Sequence, residues 1–109
     1  MENETMEQLK ERLNSSSKYL QSNDMRVIDV HEGYAKVEMV IDEQILNGHG
    51  FVHGGALFSL GDTAAGAASF ATGRDSVTLS ASINYIKPGI GGKLIAIAQE
   101  ISRGRTTGV

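Results

Sequence analysis

Apolar positions fall in successive, different rhythms along the chain. Near the start, Met6, Leu9, Leu13 and Leu20 lie roughly on one helical face. Thr5-x-x-Gln8 ahead of them reads as a capping box, in which threonine and glutamine each satisfy one free N–H of the first turn. The pattern predicts a helix within residues 1–22, weakened by Ser15-Ser16-Ser17. A period of two then takes over. Met25 to His31 reads as a strand, Glu32-Gly33 as a turn and Tyr34 to Asp42 as the partner strand. In the partner, Ala35, Val37, Met39 and Ile41 alternate with Lys36, Glu38, Val40 and Asp42, as a strand with one buried face requires.

A loop from Glu43 to Phe51 leads to a second helix, from about Gly54 to Ala71. Leu57, Leu60, Ala64, Ala67 and Ala71 make one stripe, and Phe58, Gly61, Ala65 and Ala68 another. Gly55, Ser59, Asp62, Gly66 and Ser69 share the third face. No long charged side chain is left for water, so this helix is expected to be wrapped on most sides. Gly61 and Gly66 each sacrifice ~1 kcal/mol of helix propensity, which predicts close approach of a sheet or a second helix. Thr72 to Asp75 closes the helix, and Ser76 to Ile86 reads as a strand of ~36 Å at 3.3 Å per residue. Lys87 to Gly92 breaks it, and Lys93 to Ser102 is the last strand. The expectation is one α+β domain over 1–109: an N-terminal helix in 1–22 and a core over 23–109.

Composition narrows the function. A length of 109 residues supports one modest core, and a net charge of -3 argues against bulk nucleic-acid binding. With no cysteine there is no disulfide, thiolate nucleophile or cysteine-based zinc site. The charged start lacks an apolar signal region, and no apolar run approaches the ~18 residues of a membrane span. A cytoplasmic protein without membrane or nucleic-acid partners is expected. His31, His49 and His53 show no paired helical spacing, so neither a metal nor another cofactor is expected.

The chemistry is concentrated between Asn47 and Ala64, where a glycine-rich loop with two histidines runs into the small-residue helix. A helix opening at Gly54-Gly55 presents backbone N–H groups without partners. Asp62 is the one ionisable side chain of that helix, and a carboxylate among Ala and Gly contributes nothing to packing. Electrophile stabilisation at one end and a carboxylate further along point to acyl transfer. Gly48-x-Gly50-x-x-His53 fails the dinucleotide pattern at its third glycine, and the lipase-like His-Gly-Gly has no accompanying Gly-x-Ser-x-Gly.

Asn47, His53, Gly54 and Gly55, with Asp62 nine residues after the histidine, resemble the motif of the hotdog-fold acyl-CoA thioesterases of the phenylacetate-degradation (PaaI-like) type. The hairpin before the motif and Tyr85-Ile-Lys-Pro88 after it fit too, so the resemblance covers roughly Met25 to Arg105. It implies a long helix wrapped by a curved antiparallel sheet, acting on acyl- or aryl-CoA thioesters. It assigns carbonyl polarisation to the Gly54 N–H and the role of general base or nucleophile to Asp62, with Asn47 and His53 lining the site. Gly55 and a hydroxyl on the following strand, Thr78 or next Ser80, would line the substrate; those two hydroxyls share one parity. For His53, orienting the loop is ranked above proton transfer. Lys87, Arg103 and Arg105 are read as solvated charges before CoA-phosphate ligands.

Distance adds a further expectation. Gly54 and Asp62 lie eight residues apart in one helix, ~12 Å along its axis, too far for one chain to bring both to one carbonyl. The site is expected to be shared by antiparallel helices of a homodimer, alone or within a homotetramer. The resemblance also implies about two further strands after Val109, so the sheet is expected to lack the last one or two, and activity is in question. The rival reading is a non-catalytic acyl-CoA-binding or assembly module on the same fold. A hydratase is disfavoured, because no histidine on the helix shares base duty with Asp62.

Overall fold

The computed structural model describes residues 4–109. Its elements are α1 (Met6–Ser16), α2 (Lys18–Ser22), β1 (Met25–His31), β2 (Tyr34–Val40), α3 (Gly54–Phe70) and β3 (Lys93–Gln99), with a 3-10 turn at Glu43–Ile45. Both halves of the Thr5/Gln8 capping box form at the start of α1. The serine run divides the expected N-terminal helix: Ser17 ends α1 in extended backbone and caps α2 with its own side chain. Short hydroxyl side chains compete for backbone hydrogen bonds, which favours caps over helix interiors.

The strands form one antiparallel sheet in the order β1-β2-β3. Period-two patterning sets its buried face: Ala35, Val37 and Met39 of β2 are fully enclosed, with Met25, Val27 and Val30 of β1 beside them. Against that face lie Leu9 of α1 and Leu60, Ala64, Ala67, Ala68 and Ala71 from the long helix. Register between β1 and β2 slips at Val27/Asp29. There the Asn14 side chain from α1 satisfies the Val27 backbone, accepting from its N–H (2.7 Å) and donating to its carbonyl (2.9 Å). Arg12 lies over the Phe70 ring, 5.3 Å from its centroid, and ties α1 to the end of α3.

Two expectations are corrected. The first is that α3 is wrapped on most sides. Its Leu60/Ala64/Ala67/Ala71 stripe is buried, but Phe58, Gly61, Asp62, Ala65 and Gly66 are exposed. A Cβ built on Gly61 or Gly66 would meet nothing within 4 Å, so no neighbour in this chain uses their small size. The second is the long strand. Residues 76–86 belong to no ladder, although their alternation survives: Ser76 and Thr78 bond α3 while Val77 and Leu79 are 93% and 86% exposed. Local pattern supplies the extended tendency, but a strand also needs a paired edge. This segment is tied to α3 through side chains instead.

The last strand is shorter than expected, ending at Gln99. The chain then folds back on itself, with Arg103 bridging Gly108 and reciprocal bonds between Ser102 and Val109. Among the described residues no helix is long and apolar enough to cross a membrane.

Candidate active site

The start of α3 is built by the loop before it. Asn47 Oδ1 accepts from the N–H groups of His49 (2.9 Å) and Phe51 (3.1 Å), and the Asn47 and Phe51 backbones close the turn at 2.7 Å. Gly50 takes φ +82°, a left-handed conformation that glycine adopts without steric cost. His53 is then fixed at both ends: its N–H donates to Ile45 O at 2.6 Å, and its Nδ1 accepts from Gly55 N–H at 2.8 Å. That second bond makes His53 the N-cap of α3.

The cap separates the two glycines chemically. The Gly55 N–H is occupied, whereas the Gly54 N–H has no acceptor among the described residues. Gly54 is half-buried, and its place is closed on one side by Tyr85. The Tyr85 hydroxyl donates to Gly54 O at 3.0 Å. A Cβ on Gly54 would stand 3.3 Å from Tyr85 Cζ, tighter than ordinary van der Waals contact, so glycine suits this close approach.

Further along α3, Asp62 is exposed and accepts from Thr78 Oγ1 at 2.6 Å through Oδ1. Its Oδ2 has no partner among the described residues. Segment 76–86 therefore reaches both positions, through Thr78 at Asp62 and Tyr85 at Gly54. Ser80 makes no side-chain hydrogen bond among the described residues, so of the two hydroxyl positions only Thr78 is brought to Asp62. Gly54 and Asp62 are not brought together: α3 is continuous from Gly54 to Phe70, which keeps them ~12 Å apart. Asn47 points its oxygen into its own loop. Arg103 is engaged by Glu100 and by Ser69.

Sequence reasoning placed Tyr85 in the matching motif but gave it no role. A tyrosine far from the glycine pair carries no spacing signal for it, because only the path of residues 76–86 makes them neighbours.

Comparison with known proteins identifies the family. Residues 49–109 match the model of the thioesterase superfamily. A protein of Archaeoglobus fulgidus whose name assigns it provisionally as an esterase is 38% identical over 103 residues, covering 94% of this chain and 67% of that protein. The acyl-coenzyme A thioesterase PaaI of Escherichia coli is 43% identical over 84 residues, 76% of this chain and 60% of PaaI. The structure of E. coli PaaI superposes with a TM-score of 0.79 at 35% identity, over 92% of this chain and 78% of that one. A Streptococcus mutans protein solved with acetyl-CoA bound superposes at 0.73 and 38% identity, over 77% and 68% of the respective chains. The chain belongs to the thioesterase superfamily, with the hotdog fold of its PaaI-like members. It spans about three-fifths to two-thirds of the length of the curated relatives it matches.

Proposed function

We propose that this chain is an acyl-CoA thioesterase, hydrolysing an acyl- or aryl-CoA thioester to the free acid and CoA. The observation that carries the reading is α3 itself, with a Gly54 N–H at its start that has no acceptor among the described residues and the Asp62 carboxylate, steadied by Thr78, on its open face. In the reaction, the thioester oxygen accepts from Gly54 as water adds to the carbonyl carbon. Asp62 takes the water proton, the C–S bond breaks, and that proton passes to the departing CoA sulfur. The products are the acid and CoA thiol. As a nucleophile, Asp62 would instead displace CoA and form an anhydride that water then cleaves. A single aimed donor of the Gly54 kind is worth ~10²–10³ in rate, and a positioned base roughly 10²–10⁴.

The site is shared between two chains in this reading. The uninterrupted helix supports it, because one chain cannot bring Gly54 and Asp62 to the same carbonyl. The open face of Gly61, Asp62, Ala65 and Gly66 supports it as well, since small residues let a second α3 approach closely in the antiparallel sense. His53 and Asn47 then shape the donor loop and do not move protons.

A steady-state assay over a panel of acyl- and aryl-CoA thioesters tests the proposal. Asp62→Asn is expected to remove most hydrolysis while leaving thioester binding largely intact. Near wild-type kcat in that variant would sink the role of Asp62. Wild-type binding without turnover would assign the chain as an acyl-CoA-binding module.

A further inference from the structure

We propose that Tyr85 is a positioning residue for this hydrolysis, anchoring Gly54 through its carbonyl and its Cα so that the residue, and with it the N–H on its other side, stays placed toward the thioester oxygen; the inference rests on the thioesterase reading above. An oxyanion donor acts only if it lies about 3 Å from where the charge develops and does not have to reorganise. The first turn of a helix is the part most free to fray, because its N–H groups lack helical partners. Here that turn is restrained from three directions. Ile45 O holds the N–H of His53, and His53 Nδ1 holds the N–H of Gly55. The third restraint comes from 31 residues further along the chain, where the Tyr85 hydroxyl donates to the Gly54 carbonyl at 3.0 Å.

The ring adds to the hydroxyl. Cζ and Cε1 of Tyr85 stand 3.3 and 3.5 Å from the place a Gly54 Cβ would occupy. The Gly54 N–H belongs to the His53–Gly54 peptide, whose carbonyl accepts from Ala56 (2.9 Å) and Leu57 (3.3 Å). Tyr85 anchors the next peptide unit and fills the space beside the Gly54 Cα, so a shift of Gly54 as a whole would have to break the hydroxyl bond and push the ring away. Burial does not account for this tyrosine, which is 54% exposed on a segment that forms no sheet ladder. The same segment delivers Thr78 to Asp62, so residues 76–86 hold both groups that the reaction uses.

The test compares kcat and KM for the wild type, Tyr85→Phe, Gly54→Ala and the double variant on one hydrolysed thioester, with a thermal melt of each. The polarisation of a ¹³C-labelled thioester carbonyl, bound to Asp62→Asn chains with and without Tyr85→Phe, is read by difference infrared spectroscopy. Tyr85→Phe keeps the ring and is expected to lower kcat roughly 10- to 100-fold, the scale of a small misplacement of a reacting group. KM should stay within about twofold, and the carbonyl shift on binding should shrink. Gly54→Ala retains its N–H but displaces the ring, so it should lose kcat similarly, and the double variant should fall no further than the worse single one.

Unchanged kcat in Tyr85→Phe, a change confined to KM or to the melt, or fully additive losses would overturn the inference. An active wild type with an indifferent Tyr85→Phe removes the Tyr85 role alone. A wild type that hydrolyses nothing, with no carbonyl shift in Asp62→Asn, removes the thioesterase reading together with it.

Discussion

At the scale of single residues, His53 distinguishes two adjacent glycines that look equivalent in sequence. Its Nδ1 accepts the Gly55 N–H, and a nitrogen that accepts carries no proton, so this bond requires the neutral ring with its hydrogen on Nε2. Another residue-scale device sits at the open end of the β1–β2 hairpin. A hydrogen bond shared with Asp42 raises the Asp24 carboxyl above the usual carboxylate range, and desolvation and the Asp42 charge push the same way. A raised folded pKa means that the protonated form stabilises the fold, and this contribution is lost as pH rises through the folded value. At neutral pH that contribution is gone. Asp24 also holds a left-handed φ of 54°, which asparagine tolerates. Asp24→Asn keeps a donor toward Asp42 without the charge, so melts should show a higher Tm near about pH 7, with the gain shrinking toward about pH 4. A Tm difference independent of pH would contradict the carboxyl-pair account.

Among the elements, β2 is the centre of the fold, flanked by both other strands and covered by α3. Met39 there is fully enclosed, so Met39→Ala should cost about 2–5 kcal/mol, measured by urea unfolding, because the surroundings cannot fully collapse into the space left behind. The neighbouring edge strand is also held by Asn14, which bonds both backbone groups of Val27 next to the irregularity. Segment 76–86 shows the opposite case. It has strand-like alternation and no ladder, and it is tied to α3 through Ser76, Thr78 and Tyr85. Its attachment is polar and local, whereas that of β2 is apolar and continuous.

For the whole molecule, the open side of α3 and the separation of Gly54 from Asp62 have one shared consequence. If two chains build each site, Asp62→Ala chains mixed with Gly54→Pro chains should recover activity that neither has alone. Each mixed dimer would contain one intact pair, since proline removes the Gly54 donor. His53 already has the extended backbone (ψ 138°) that a following proline requires, so the backbone accepts the replacement, while the Tyr85 ring, 3.3 Å from the Cβ it adds, must give way. Size-exclusion with light scattering should find a homo-oligomer. Subunits that exchange without any recovery, or an active monomer, would rule out the shared site.

Sequence alone determined the local elements: the capping box at Thr5, the bounds of β1, the turn at Gly33, and a helix opening at Gly54 with Asp62 on it. Each is written in neighbouring residues, as a cap, a period or a glycine that turns the chain. The motif from Asn47 to Asp62 was legible for the same reason, and the family follows from it. Tertiary structure decided what depends on distant residues. It chose which face of α3 is covered, kept residues 76–86 out of the sheet, and brought Thr78, already ranked before Ser80, to Asp62. It also brought Tyr85 against Gly54. Alternation tells which side chains share a face but not which neighbour that face will meet, and a strand exists only where another edge accepts its bonds.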